Sequence, residues 1–343
     1  MSQPTAARAA RDVSVKDVAA AAGVSVGTVS NVLNRPEKVS PATLDHVTAV
    51  IEDLGFVRND AARQLRAGRN RAIGMVVLDV ANPFFTDVAR GVEERLAEHR
   101  RPLILGSSGQ DPDREQTYLD LFEEQRVSGL LVTPAGDVLP RLRRLRERGT
   151  AVVVVDRRVD SDEFSSVAVD DTRGGRIAAE HLLAGGRRRI AFVGGPHGLT
   201  QIQHRLSGAR TAAEAVAGAE IRFVETGTMD AAAGRRGAEE LLALGTGERP
   251  DAIFAANDLV ALGVLQALTL AGVAVPDDIA IIGYDDIDFA ASAAIPLSSV
   301  AQPRDQIGSV AADLLLEAIA DPGRAARDVV LEPSLVIRRS TAE

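Results

Sequence analysis

The sequence predicts a small helical head followed by an α/β core of two doubly wound parallel-sheet lobes. Three observations carry this. Residues 13–55 hold three short apolar-periodic segments, opened by Ser14, Ser25 and Ser40. From Arg71 onward, continuous apolar runs of strand length alternate with helical stretches, the pattern of parallel strands covered on both faces. The alternation comes as two series, one on either side of about residue 170. At 343 residues the chain also exceeds one ordinary domain. The expected divisions are residues 1–57 (head), 58–70 (hinge helix and linker) and 71–343 (core). Lobe 1 takes about 71–169 and 302–328, lobe 2 about 170–301 and 329–343.

In the head, Ser14 and Asp17 form a capping-box pattern, and Val15, Val18, Ala19 and Ala22 share a face before Gly23 stops the helix. Ser25 caps a second helix with Val29, Val32 and Leu33 as its buried stripe. Ser40-Pro41 opens a third, lined by Leu44, Val47, Val50, Ile51 and Leu54 and ended by Gly55. Three short helices with a tight turn between the first two make a helix-turn-helix. Val26, Gly27, Thr28, Ser30 and Asn31 then face outward near the start of the second helix, with Asn34 at its end. A recognition helix places its base-reading residues there. Asn31 suits bidentate bonding to adenine, Val26 a thymine methyl, Thr28 or Ser30 a phosphate. A solvated polar face on a plain helical hairpin is the other reading.

The stretch Asn59–Gly68 is capped by Asn59 or Asp60, too short for an isolated helix, and combines Ala61, Ala62, Arg63 and Arg66 with one large apolar residue, Leu65. That composition suits a minor-groove wedge; an interdomain linker is the alternative.

In the core, strands are expected at 72–78, 102–106, 129–133 and 151–155, then at 189–195, 221–225, 251–256 and 279–285. A closing helix 303–320 and a strand 329–337 follow. Ligands bind such sheets at the carboxyl ends of strands. These ends carry Asp79 with Asn82-Pro83-Phe84-Phe85, Asp156-Arg157-Arg158, Asn257-Asp258 and Asp285-Asp286. Aromatic rings beside acids and amides suit a sugar or other polyhydroxylated ring.

No G-x-G-x-x-G, P-loop, H-E-x-x-H or G-x-S-x-G motif is present, so no nucleotide cofactor, metal or catalytic set is expected and the chain is not read as an enzyme. His197 and His204 are read as surface residues, and Asp286 as structural. The absence of cysteine excludes disulfides and thiolate metal sites. No apolar run approaches a membrane span and "MSQPTAARAARDVSV" lacks a signal-peptide core, so a cytoplasmic protein is expected. Residues 1–70 carry nine Lys/Arg against seven Asp/Glu, within a chain of 39 and 48 and net charge −9. A mildly basic head on an acidic body fits a small nucleic-acid module.

The segments "SVKDVAAAAGVSVGTVSNVLN", "DVANPFF", "RLSGAR", "ANDLVALGVLQAL" and "VPDDIAIIGYDDI" occur in an order that resembles the LacI/GalR family of bacterial transcription regulators, from about Val13 to the end. The resemblance implies a periplasmic-binding-protein-like core, a homodimer, a pseudopalindromic double-stranded DNA operator and a small effector between the lobes. It places Val26, Gly27 and Asn31 where operator preference varies, and Leu65, with Ala62 beside it, on an intercalating hinge position. It places Phe84, Phe85, Asp156, Arg205, Asn257, Asp285 and Gln302 at effector-contact positions. Asn257 has a second reading as a helix cap, Arg205 as a salt-bridge residue, and one of the two phenylalanines as core. The expected effector is a carbohydrate. A nucleobase, a phosphorylated partner protein, and a free-standing sugar-binding protein are the rival readings. The chain lacks C-terminal leucine heptads, so a coiled-coil tetramer is not expected.

Overall fold

The computed structural model describes residues 13–56, 71–159 and 162–342, in two compact units divided at Gly68/Arg69. The hinge stretch, with Ala62 and Leu65, lies outside the described residues.

The head contains α1 (Val15–Ala21), α2 (Val26–Asn34) and α3 (Pro41–Asp53). Each starts as its serine dictates: Ser14, Ser25 and Ser40 accept from the backbone N–H groups of Asp17, Thr28 and Thr43, and Asp17 returns a bond to the Ser14 backbone. Val18, Ala19, Val29, Val32 and Val47 close a small core. Leu54, expected on the buried stripe of α3, sits at the helix end and is 37% exposed; Phe56, beyond the turn at Gly55, takes the core place instead at 9%. Each such large apolar side chain contributes roughly 1.5–3 kcal/mol on burial, so the turn at Gly55 (φ +60°) matters by directing Phe56 inward.

The first lobe runs β1 (Ile73–Val77), α4 (Pro83–Ala97), β2 (Leu103–Ser107), α5 (Pro112–Glu124), β3 (Gly129–Val132), α6 (Leu139–Glu147), β4 (Ala151–Val155) and β5 (Ser165–Val169). The second runs α7 (Asp171–Ala184), β6 (Arg189–Gly194), α8 (Thr200–Glu214), β7 (Glu220–Glu225), α9 (Ala231–Leu242), β8 (Ala252–Ala255), α10 (Asp258–Leu270), β9 (Ala280–Asp285), α11 (Asp288–Ser292) and β10 (Ser298–Ala301). The chain ends with α12 (Arg304–Ala320), β11 (Asp328–Leu331) and β12 (Ser334–Val336). The sheets are ordered β11-β5-β4-β3-β1-β2 and β12-β10-β9-β8-β6-β7, parallel except that β12 runs antiparallel to β10. β1 lies between β2 and β3, and β6 between β7 and β8; such reversals of strand order open a crevice at the strand carboxyl ends.

The chain passes between the sheets three times: after β5, after β10, and between β11 and β12. The strand expected over 329–337 is therefore two strands in two sheets, with the crossover at Glu332-Pro333, not before Val329. Pro333 cannot donate to a ladder, which favours a break there. The sequence reading missed β5 and β10. Both are serine-rich, and their buried serines are satisfied by side-chain bonds, Ser166 to Asp328 and Ser299 Oγ to Asp258 Oδ1 at 2.7 Å.

Helices α7 and α8 cross through a glycine from each. A Cβ on Gly175 would lie 1.9 Å from the Arg205 carbonyl oxygen, and one on Gly208 1.9 Å from that of Thr172. This close approach brings Arg205 and Asp171 together. No helix among the described residues is long and apolar enough to cross a membrane.

Candidate functional site

At the end of β1, Asn82 caps α4, its Oδ1 accepting from the Phe84 N–H at 3.0 Å with Pro83 at the first helical position. That fixes the amide orientation and leaves Nδ2 to donate across the cleft to Asp285 Oδ2 at 3.1 Å. Asp285 Oδ1 accepts from Gln302 Nε2 at 2.7 Å. Phe84 and Phe85 are both buried in the hydrophobic core and meet edge to face, centroids 4.9 Å apart, and both also line the cavity.

Asp156 follows β4 and Asp285 ends β9, with φ of +60° and +102°. Left-handed backbone at a non-glycine residue is strained and concentrates where surrounding structure enforces a functional geometry. Across the cleft, Gln201 in the first turn of α8 donates from Nε2 to Asp156 O at 2.8 Å and to Oδ2 at 3.0 Å.

Arg205, 4% exposed, donates from Nε to Asp171 Oδ1 and from Nη1 to the Ala256 carbonyl, both at 2.7 Å, and lies 3.7 Å over the Tyr284 ring. The salt-bridge reading of Arg205 therefore holds, at a position that also lines the cavity. Asn257 likewise has its capping role: its Oδ1 accepts from the Val260 N–H at 2.9 Å while Nδ2 donates to the Met229 carbonyl at 3.1 Å.

Burial dominates the electrostatics. It pushes Asp156 up to about 8, reinforced by the Asp171 charge and opposed by Arg205. It pushes Asp285 up to about 6, opposed by Arg205 and by the bonds from Asn82 and Gln302. Burial alone would lower the Arg205 guanidinium; the charge of Asp171, with those of Tyr284, Asp285 and Asp156, overrides it and holds the pKa above the usual arginine value.

One cavity of about 20 Å³ thus gathers Phe84, Phe85, Asp156, Arg205, Asn257, Asp285 and Gln302. Asp79 is not among them: it is half-buried and accepts from the Ala81 N–H at 2.9 Å, shaping the turn before α4. Leu78, Gln201 and Met229 line the cavity without having been expected there, as does Asn82, which the sequence placed at a ligand-facing strand end without naming it as a contact. Asn82 carried a usable signal, because an asparagine before a helix-opening proline caps with one amide atom and leaves the other free. Gln201 carried none. His197 and His204 are exposed, and Asp286 pairs with Arg338 at 2.6 Å, a structural role.

In the head, Val26 (47%), Gly27, Asn31 and Asn34 are exposed on α2. Thr28 and Ser30 are half-buried; Thr28 Oγ1 meets Ser25 Oγ at 2.9 Å, and Asn34 Nδ2 donates to the Ser30 carbonyl at 2.8 Å. Val26 at the helix start and Asn31 past its middle are exposed side chains, while Thr28 and Asn34 also hold the helix ends.

Two family models match the chain: "Bacterial regulatory proteins, lacI family" over residues 14–59, and "Periplasmic binding protein-like domain" over residues 179–341. The Escherichia coli (strain K12) ribose operon repressor is 35% identical over 329 residues, covering 95% of this chain and 99% of that protein. The Photobacterium profundum transcriptional repressor PurR is 33% identical over 333 residues, covering 96% and 98%. Among solved structures, a LacI family regulator from Enterococcus faecalis V583 with bound ribose aligns with TM-score 0.72 and 32% identity over 79% of this chain and 98% of its own. The lac repressor dimer bound to operator and the anti-inducer ONPF aligns with TM-score 0.80 and 27% identity over 97% and 100%. The chain belongs to the LacI family of bacterial regulatory proteins, and is a DNA-binding transcriptional repressor with an effector-binding core.

Proposed function

We propose that a carbohydrate held between the two lobes sets the operator affinity of a homodimer of this chain. The observation that carries the effector class is a set of buried polar oxygens without partners beside a phenyl pair: Asp156 Oδ1, Gln201 Oε1 and Gln302 Oε1, next to Phe84 and Phe85. An unmatched buried polar group costs about 1–3 kcal/mol. Hydroxyl groups on a ring whose apolar faces meet the phenyl pair would satisfy all three. The ribose-bound neighbour and the ribose operon repressor support this class.

The cavity of about 20 Å³ holds roughly one water. A sugar ring enters only when the lobes stand further apart, so it binds the two lobe arrangements unequally. That difference in affinity is what a switch requires.

For the DNA side, Val26, Gly27 and Asn31 read base edges, Thr28, Ser30 and Asn34 position α2, and Leu65 with Ala62 forms the hinge wedge. The lac repressor dimer on its operator supports the homodimer, as does apolar surface on the core, with Leu270 76% and Phe289 58% exposed and Ile104 and Leu105 on the edge strand β2.

Calorimetric titration of the full chain with sugars, sugar phosphates and nucleobases tests the effector class. Saturable binding of a sugar is expected. Binding of a nucleobase and of no sugar would overturn the reading, an outcome the similarity to PurR makes informative.

A further inference from the structure

Asp156 and Gln201 line two cavities at once. On one side is the inner cavity of about 20 Å³; on the other is a pocket of about 470 Å³. Pro134, Val138, Leu139 and Val159 of the first lobe wall this outer pocket, facing Thr200 and His204 of α8. The partition between the two is the pair of bonds from Gln201 Nε2 to Asp156 O and Oδ2, at 2.8 and 3.0 Å.

The partition is poorly satisfied. Gln201 is 5% exposed and Asp156 4%, yet Gln201 Oε1 and Asp156 Oδ1 have no partner. The Gln201 amide cannot relieve this by flipping, because its oxygen would then face the Asp156 carbonyl. A buried amide acceptor, Gln201 Oε1, and the Asp156 carboxyl oxygen Oδ1, which carries the proton below about 8, are matched at that boundary by a hydroxyl, which both donates and accepts.

The outer pocket selects for a neutral occupant. Asp171 is paired with Arg205, and Arg158 with Asp328 at 2.9 Å. Asp170 Oδ1 accepts from the Arg173 N–H at 2.8 Å, and Arg157 donates to the Gly136 carbonyl at 2.8 Å. With Asp156 protonated, Arg157 and Arg158 are matched in number by Asp170 and Asp171, so the wall holds no excess positive charge for a phosphate, and its aliphatic, hydroxyl and imidazole groups suit a second ring.

We infer that the outer pocket is a subsite for a second, neutral unit joined by a glycosidic bond to the ring in the inner cavity, and that Gln201 is the side chain that turns aside so that one molecule spans both. This rests on the carbohydrate reading above.

The test is calorimetry on the full chain with a panel of monosaccharides, each matched with its disaccharide and methyl glycoside, for the parent and for His204→Trp. His204 is exposed on α8, so the larger ring fills the outer pocket without disturbing a core. The parent is expected to bind the two-unit sugar about tenfold or more tighter than its monosaccharide. His204→Trp is expected to remove that gain and to bind the monosaccharide within about twofold of the parent. A monosaccharide bound as tightly as its extended form by the parent, or a gain that survives His204→Trp, would overturn the subsite while leaving the carbohydrate reading intact. Absence of binding by every sugar and glycoside would overturn both.

Discussion

Asn82 and Asp285 stand 203 residues apart in the chain and are joined across the cleft by a 3.1 Å hydrogen bond. Because Asn82 Oδ1 is held by the Phe84 N–H, only its NH₂ faces Asp285, which must therefore accept. Asp285→Asn keeps shape and tolerates the positive φ, yet bonding to Gln302 and Asn82 together now needs two acceptors where the new side chain has one. A loss of about 1–3 kcal/mol per orphaned group follows. Calorimetry should show effector affinity falling about tenfold or more; unchanged affinity would remove Asp285 from the site.

Arg205 is held in a buried ion pair with Asp171, so its replacement bears on stability. Arg205→Met leaves Asp171 buried without its cation, and breaking such a pair costs about 3–5 kcal/mol. A large drop in Tm is expected, with partial recovery in the double variant Asp171→Leu/Arg205→Met, which removes both charges. If the single variant melts like the parent, the pair is not structural. The sequence left Arg205 as an effector contact or a salt-bridge residue; the packed α7–α8 crossing supplies the salt bridge to Asp171.

The pH dependence has a definite sign. Asp156 in the folded core keeps its proton up to about 8, far above its ordinary 3.8. Its contribution to stability is therefore full below about pH 4 and is lost as pH rises through about 8. Asp285 acts in the same sense but is spent by about 6. Between about pH 6.5 and 9, parent Tm should fall more than that of Asp156→Asn, which cannot titrate. Equal falls would mean that Asp156 ionises normally.

Asn31 is exposed in the second half of α2 and is not part of the head core. Asn31→Ala should lose about 1–3 kcal/mol at one symmetric base-pair position of the operator, and selection from random DNA should show relaxed preference there alone. Identical preferences in parent and variant would assign base reading to other residues.

Much of this was legible before the structure, for reasons that are local. Ser14, Ser25 and Ser40 bond backbone groups three residues away, and apolar runs such as Val152–Val155 are long enough to read as buried strands. What was not legible depends on distant partners. Ser298 and Ser299 are buried in β10 because Arg338, Thr341 and Asp258 reach them. Gln201 joins the cavity only because the second lobe faces Asp156, while Asp79 lies outside its lining and bonds the Ala81 N–H of its own turn.

The most direct measurement is the operator affinity of the full chain with and without a saturating concentration of the sugar that binds the core. Coupling between two sites is typically worth about 1–3 kcal/mol, so operator Kd should change by about 5- to 150-fold, in either direction. An operator Kd that stays the same at full sugar occupancy would contradict the claim that the cleft governs the head.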